Sequence, residues 1–123
     1  MTDFPIGLMT RKEPQMQETI IELARIKLKD GIDEARLIET SERFQRAFLD
    51  KVPGFHGREL MKADDGSYMD LVHWQSSAHA DAAMKQAAKS MECRDYFGLM
   101  DMSGNDPHSG VRLFQSLAEY PAR

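Results

Sequence analysis

The chain has 123 residues, 41% of them hydrophobic, with 20 acidic against 16 basic side chains and a formal net charge of −4. That length suits one domain with a real core, and an acidic balance without a Lys/Arg cluster argues against a nucleic-acid or anionic-membrane surface. No apolar run approaches the roughly 18–20 residues of a membrane span, no cationic segment followed by an apolar stretch marks a signal peptide, and the single cysteine, Cys93, leaves no internal disulfide and no CxxC-type zinc site. A cytoplasmic protein is expected.

Residues 1–18 carry Pro5, Gly7 and Pro14 among polar side chains without a sustained period, which reads as an arm, loose or ordered by a partner; residues 19–123 read as the single folded domain. Thr19 to Lys29 alternates as a first strand, with Ile20, Ala24, Ile26 and Leu28 on one side, and Asp30-Gly31 turns it. Asp33 caps a helix running to about Lys51, whose stripe is Leu37, Ser41, Phe44 and Phe48, widened by Ile38 and Leu49. Pro53-Gly54 stops it. Phe55–Ala63 and Tyr68–Gln75 are two strands around Asp64-Asp65-Gly66-Ser67, and Asp65-Gly66 predicts a two-residue hairpin turn. That register sets Met61 opposite Asp70, Glu59 opposite Val72 and Gly57 opposite Trp74, with Phe55 and Tyr68 on the same face. Arg58, Leu60, Met69, Leu71 and His73 then fall on the other face. Ser76 or Ser77 caps a second helix to about Ser90 with a small-residue face of Ala80, Ala83, Met84 and Ala87; Glu92 to Leu99 adds a turn or two bearing Tyr96 and Phe97. Asp101–Gly110 is a loop, and Val111–Tyr120 the last strand.

The order β-α-β-β-α-β predicts an α+β, ferredoxin-like protomer: a four-stranded antiparallel sheet with helices on one face. Both faces of the strands nevertheless hold large apolar side chains, where a one-sided sheet alternates more cleanly. Leaving Leu60, Met69 and Leu71 wet forfeits about 1.5–3 kcal/mol each, so a homodimer with sheets packed face to face is expected, a dimeric α/β barrel.

The segments Ile20 to Lys27, Pro53-Gly54-Phe55 and Val72-His73-Trp74-Gln75-Ser76, followed by Ala80 and Ala83, resemble the antibiotic biosynthesis monooxygenase-like family of dimeric α/β barrels over about residues 19–120. The resemblance implies a cavity between helices and sheet. The family includes cofactor-independent oxygenases of aromatic polyketides, isomerases and haem-degrading oxygenases. In the polyketide oxygenases Trp74 corresponds to a cavity tryptophan; where they carry Asn four residues earlier and Tyr six residues later, this chain has Asp70 and Ala80. Haem-degrading members carry an Asn on the first strand and a His on the second helix. The first strand here has no Asn and His79 stands at the helix start, which disfavours haem.

Among the residues themselves, Trp74 is either a stacking wall and indole N–H donor for a flat ligand or a core residue. Asp70, with Glu59 diagonal to it, is a candidate base whose pKa burial would raise, able to take a proton from a phenol or a carbonyl-activated carbon; the structural alternative is a pair of rim carboxylates held by an Arg or by the helices. Tyr68 and Phe55 line the same face. Phe97 and Met100 belong to an apolar cluster that forms either a lid or a satellite core. His56 and His108 lack metal-spaced companions, and no GxGxxG, P-loop or Ser-His-Asp arrangement is present. The expectation is a monooxygenase or related isomerase that needs neither cofactor nor metal and acts on a small hydrophobic aromatic or carbonyl-activated compound. The alternative is a non-catalytic dimeric ligand-binding or stress-associated protein, with haem degradation the weakest reading.

Overall fold

A computed structural model describes residues 19–102 and 110–122; the expected N-terminal arm, most of the expected loop before the last strand and His108 lie outside them. Strand β1 spans Ile20–Ile26, helix α1 Glu34–Ala47, β2 Phe55–Lys62, β3 Tyr68–Trp74, helix α2 Ser77–Ala87, helix α3 Met91–Phe97 and β4 Val111–Gln115. The strands form one antiparallel sheet in the order β2-β3-β1-β4. This is the ferredoxin-like architecture expected, with the second helical region split in two.

Local chemistry sets the breaks. The Asp33 carboxylate accepts the Arg36 N–H at 2.9 Å and starts α1. Its buried stripe is Leu37, Thr40, Ser41 and Phe44, while Ile38 remains 48% exposed, narrower than the expected face. The helix ends at Ala47, and a 3-10 turn, Leu49–Lys51, carries the buried Leu49. Ser76 caps α2 and Ser90 caps α3, each through its Oγ at 3.2 Å from the third following N–H. Ala80 and Ala83 bring α2 close to the core, whereas Met84 points outward.

The hairpin register differs from expectation. The Ala63 N–H donates to the Ser67 carbonyl at 2.8 Å and the Gly66 N–H to the Ala63 carbonyl at 2.9 Å, so the loop is Asp64-Asp65-Gly66, with Gly66 at φ +90°. A three-residue loop of this kind asks for one left-handed residue, where the two-residue type I′ turn asks for two. Asp65 fastens it by accepting the Ser67 N–H at 2.9 Å and hydroxyl at 2.7 Å. Lys62 therefore pairs with Tyr68, Leu60 with Asp70 and Arg58 with Val72. A one-residue shift exchanges the faces of a strand. Arg58 and Leu60 turn toward the helices, and Gly57, Glu59 and Met61 join Met69, Leu71 and His73 on the open face. A bulge at His56 returns Phe55 to the helix side opposite Trp74.

The core lies between the sheet and the helices and includes Ile20, Ile26, Leu37, Phe44, Val72, Trp74, Ala80, Cys93, Tyr96 and Met100. Beyond β1, Leu28 bridges Met100, and the backbone at 27–29 bonds that at 99 and 101. Met100 is thus 7% exposed and part of the main core, which removes it from any lid.

Candidate functional site

On the helix side of the sheet, β1 presents Ile20, Glu22, Ala24 and Ile26, which pair with Trp74, Val72, Asp70 and Tyr68 of β3. Glu22 is the single carboxylate in that otherwise apolar β1 row. The Trp74 indole N–H donates to Glu22 Oε1 at 2.9 Å, and the ring is 4% exposed. The indole hydrogen is therefore spent on a protein carboxylate rather than held out for a ligand. Phe55 meets Trp74 edge-on with ring centroids 5.8 Å apart. Burial pushes the Glu22 pKa above its ordinary value; the indole hydrogen bond opposes this, and the charge of Asp70 adds to the rise.

Asp70 is 5% exposed. Arg58 Nη1 donates to its Oδ1 at 2.9 Å, and the Tyr96 hydroxyl donates to its Oδ2 at 2.6 Å. The guanidinium is saturated elsewhere: Nη2 donates to the Ser41 hydroxyl at 2.5 Å and carbonyl at 3.1 Å, and Nε to Gln45 Oε1 at 3.1 Å. Its plane lies near the rings of Phe44 and Tyr96, 5.1 and 5.6 Å from their centroids. Burial raises the Asp70 pKa, and Arg58 and then Tyr96 pull it back. The Tyr96 phenol is driven far up by burial and by the Asp70 charge. Arg58 holds the Asp70 carboxylate, reaching it from β2 because of the shifted register; the expected pair of rim carboxylates is not formed, since Asp70 is buried and Glu59 lies on the other face.

The remaining candidates separate. Glu59 sits on the open face, away from Asp70. The carboxylate neighbour of Asp70 is Glu22, which pattern reading passed over although a charge interrupting an apolar alternation was visible in Ile20-x-Glu22-x-Ala24-x-Ile26. Tyr68 is at the hairpin end, its hydroxyl donating to Glu34 Oε1 at 3.0 Å. Glu34 also receives Lys62 at 2.9 Å, and that bond holds its pKa below the ordinary value. Phe97 packs on Phe44 and Tyr96, both centroid distances 5.7 Å, and is 38% exposed. Gly57 has open space around it, whereas Gly54, at φ +82°, has the His79 ring against it.

Beside Glu22 on the helix side lies its β4 partner Leu113, 50% exposed, and then Val111, 40% exposed. This apolar, accessible strip adjoins the half-buried Glu22. Two surface clefts of about 340 Å³ each lie elsewhere: one runs along Ser41, Gln45, Arg58 and Leu60, the other between α1 and α3. Among the described residues there is no cluster of metal-ligating side chains and no helix long and apolar enough to cross a membrane.

Comparison of the sequence with protein-family models and with curated proteins gives no match. Solved structures share the fold. SnoaB, a cofactor-independent oxygenase from Streptomyces nogalater, superposes with a TM-score of 0.66 at 19% identity over 85% of this chain and 99% of its own. The ActVA-Orf6 monooxygenase of Streptomyces coelicolor, in complex with nanaomycin D, gives 0.61 at 14% identity over 89% and 96%. A dimeric ferredoxin-like protein of unknown function from Jannaschia gives 0.55 at 14% identity over 81% and 99%.

Proposed function

We propose that this protein is a cofactor-independent oxygenase, or a related isomerase, that removes a proton from a small hydrophobic aromatic or carbonyl-activated compound, working as a homodimer joined through the open sheet face. The observation that carries the reading is the Trp74–Glu22 pair: a carboxylate fixed by an indole N–H, raised in pKa and bordered by the exposed apolar Leu113 and Val111. A carboxylate raised toward neutrality is a better-matched proton acceptor than one at its ordinary value. Glu22 takes the proton, Trp74 aims it, and Asp70 acts on it through space while remaining bound to Arg58 and Tyr96. The resulting carbanion meets O2 directly, one oxygen atom entering the product and the other leaving in water, or is reprotonated at another carbon. The shared fold of SnoaB and ActVA-Orf6 supports the kind of chemistry.

The test is oxygen uptake with a panel of anthrones and hydroquinones. Wild type turns over at least one of them, and Glu22→Gln slows that turnover by about 10²–10⁴-fold, the range of a general base. Equal rates for the two proteins would remove Glu22 from the reaction. A second reading, a binding protein without turnover, is supported by the exposed apolar strip of Leu113 and Val111 beside the Trp74–Glu22 pair. It predicts quenching or shift of Trp74 fluorescence by small aromatics with no oxygen consumed.

A further inference from the structure

We propose that the cleft between α1 and α3 binds the phosphoryl group of a small hydroxyl-bearing phosphate ester, at a site separate from Glu22 and Trp74 and independent of the oxygenase reading. The cleft, of about 340 Å³, is lined by Arg36, Thr40 and Arg43 from α1 and by Arg94, Asp95, Gly98 and Leu99 from α3 and the residues after it. Arg36, Thr40 and Arg43 follow one another at helical spacings of four and three, so one face of α1 presents two guanidiniums, and α3 adds a third. A net charge of −4 gives no general excess of cations, so this concentration is local.

The cluster is not internally neutralised. Among the described residues the side chains of Arg36 and Arg94 make no hydrogen bond or ion pair, and Asp95 does not pair with either. Arg43 reaches Glu39 at 4.0 Å, with both side chains largely exposed, which holds it weakly. Its Nη2 also donates to Thr40 Oγ1 at 3.5 Å, and Thr40 is 1% exposed, so a buried hydroxyl forms the floor and steers one guanidinium over it. Guanidinium forks match phosphate oxygens in bidentate fashion. An oxyanion relieves the repulsion among the three arginines of this cleft, and the lone carboxylate on its rim, Asp95, accepts from hydroxyl groups and disfavours a bare anion. These two features together select a phosphate ester over inorganic phosphate.

Calorimetric titration of the full chain with inorganic phosphate and with ribose 5-phosphate, at low ionic strength and again in about 150 mM NaCl, tests the site. One saturable site per chain is expected for ribose 5-phosphate, with a dissociation constant of about 1 mM or tighter, stronger than for phosphate and weakened by salt. The double substitution Arg36→Gln, Arg94→Gln changes exposed side chains and leaves the fold intact by circular dichroism; it weakens binding at least about tenfold. Lys85→Gln, on the exposed side of α2, leaves it unchanged. Absence of saturable heat, equal affinity in the double variant, or tighter binding of citrate than of either phosphate would each overturn the assignment. If the double variant does not fold, Asp95→Asn decides: it removes the preference for the ester and strengthens inorganic phosphate.

Discussion

Both oxygens of Asp70 are occupied, one by Arg58 and one by Tyr96, and both charged side chains are almost wholly buried, at 6% and 7% exposure for Arg58 and Asp70. Removing one member of such a pair strands the other charge. Asp70→Asn should therefore cost about 3–5 kcal/mol in urea unfolding, and Tyr96→Phe, which leaves the ion pair intact, about 1–3 kcal/mol. A smaller loss for Asp70→Asn than for Tyr96→Phe would show that the ion pair is not what fixes β2 to β3 and the helices. Glu22 predicts a pH signature of opposite origin. Its folded pKa is raised, mainly by burial, so the folded chain holds its proton more tightly than the unfolded chain does. The stabilisation from protonated Glu22 is fully present below the ordinary value of 4.5 and is lost as pH rises through the raised folded value. Unfolding measured between pH 4 and 8 should show Glu22→Gln losing less stability with rising pH than wild type; parallel curves would place the Glu22 carboxyl at an ordinary pKa.

The β2–β3 hairpin shows how an element's register follows from its loop. Gly66 alone supplies the left-handed conformation of the loop, and its surroundings are open. Gly54 combines a left-handed φ of +82° with the His79 ring packed directly against it, and His79 is itself tied to the Ser76 hydroxyl at 2.7 Å. Gly66→Ala should cost about 1 kcal/mol for the backbone conformation alone. Gly54→Ala adds a steric conflict that displaces the first turn of α2, and should cost at least about 1 kcal/mol more. Thermal unfolding of the two variants checks the order. If the Gly54 variant were the milder, the His79 contact would not be fixing the start of α2.

At the scale of the molecule, the helices cover one side of the sheet and leave the other to Ile21, Leu23, Met61, Met69, Leu71 and Phe114, all partly exposed. Met61 takes the place expected for Leu60. A contiguous apolar sheet face of this kind marks an interaction surface, and the occupant proposed for it is a second copy, a self-complementary arrangement; the Jannaschia protein that shares the fold is itself dimeric. Leu71→Lys, at the centre of this face, should convert a dimer into a monomer in sedimentation at micromolar concentration. A monomeric wild type would remove the dimer from the proposed function.

Element order, the cap residues Asp33 and Ser76, and the helix stripe at Leu37, Ser41 and Phe44 were legible because capping and amphipathic period act within a few residues; Ser90, read as the end of the second helix, instead caps the next one. The apolar content of both strand faces was legible too, since a period of two survives even when the register is misjudged by one residue. The pairing of strands was not legible at that precision: two-residue and three-residue loops suit the same Asp-Asp-Gly-Ser letters, and the three-residue loop is the one that places Arg58 on the helix side with Asp70, Ser41 and Tyr96. The site depended on that choice. Glu59 left it, Arg58 entered it, and Glu22 gained meaning only when β1 was laid beside β3 and the Trp74 indole reached a carboxylate 52 residues away in the chain. Local propensity determines where elements begin and end, whereas the chemistry of a buried carboxylate depends on which partners three-dimensional packing brings within about 3 Å, and that only the tertiary structure decided.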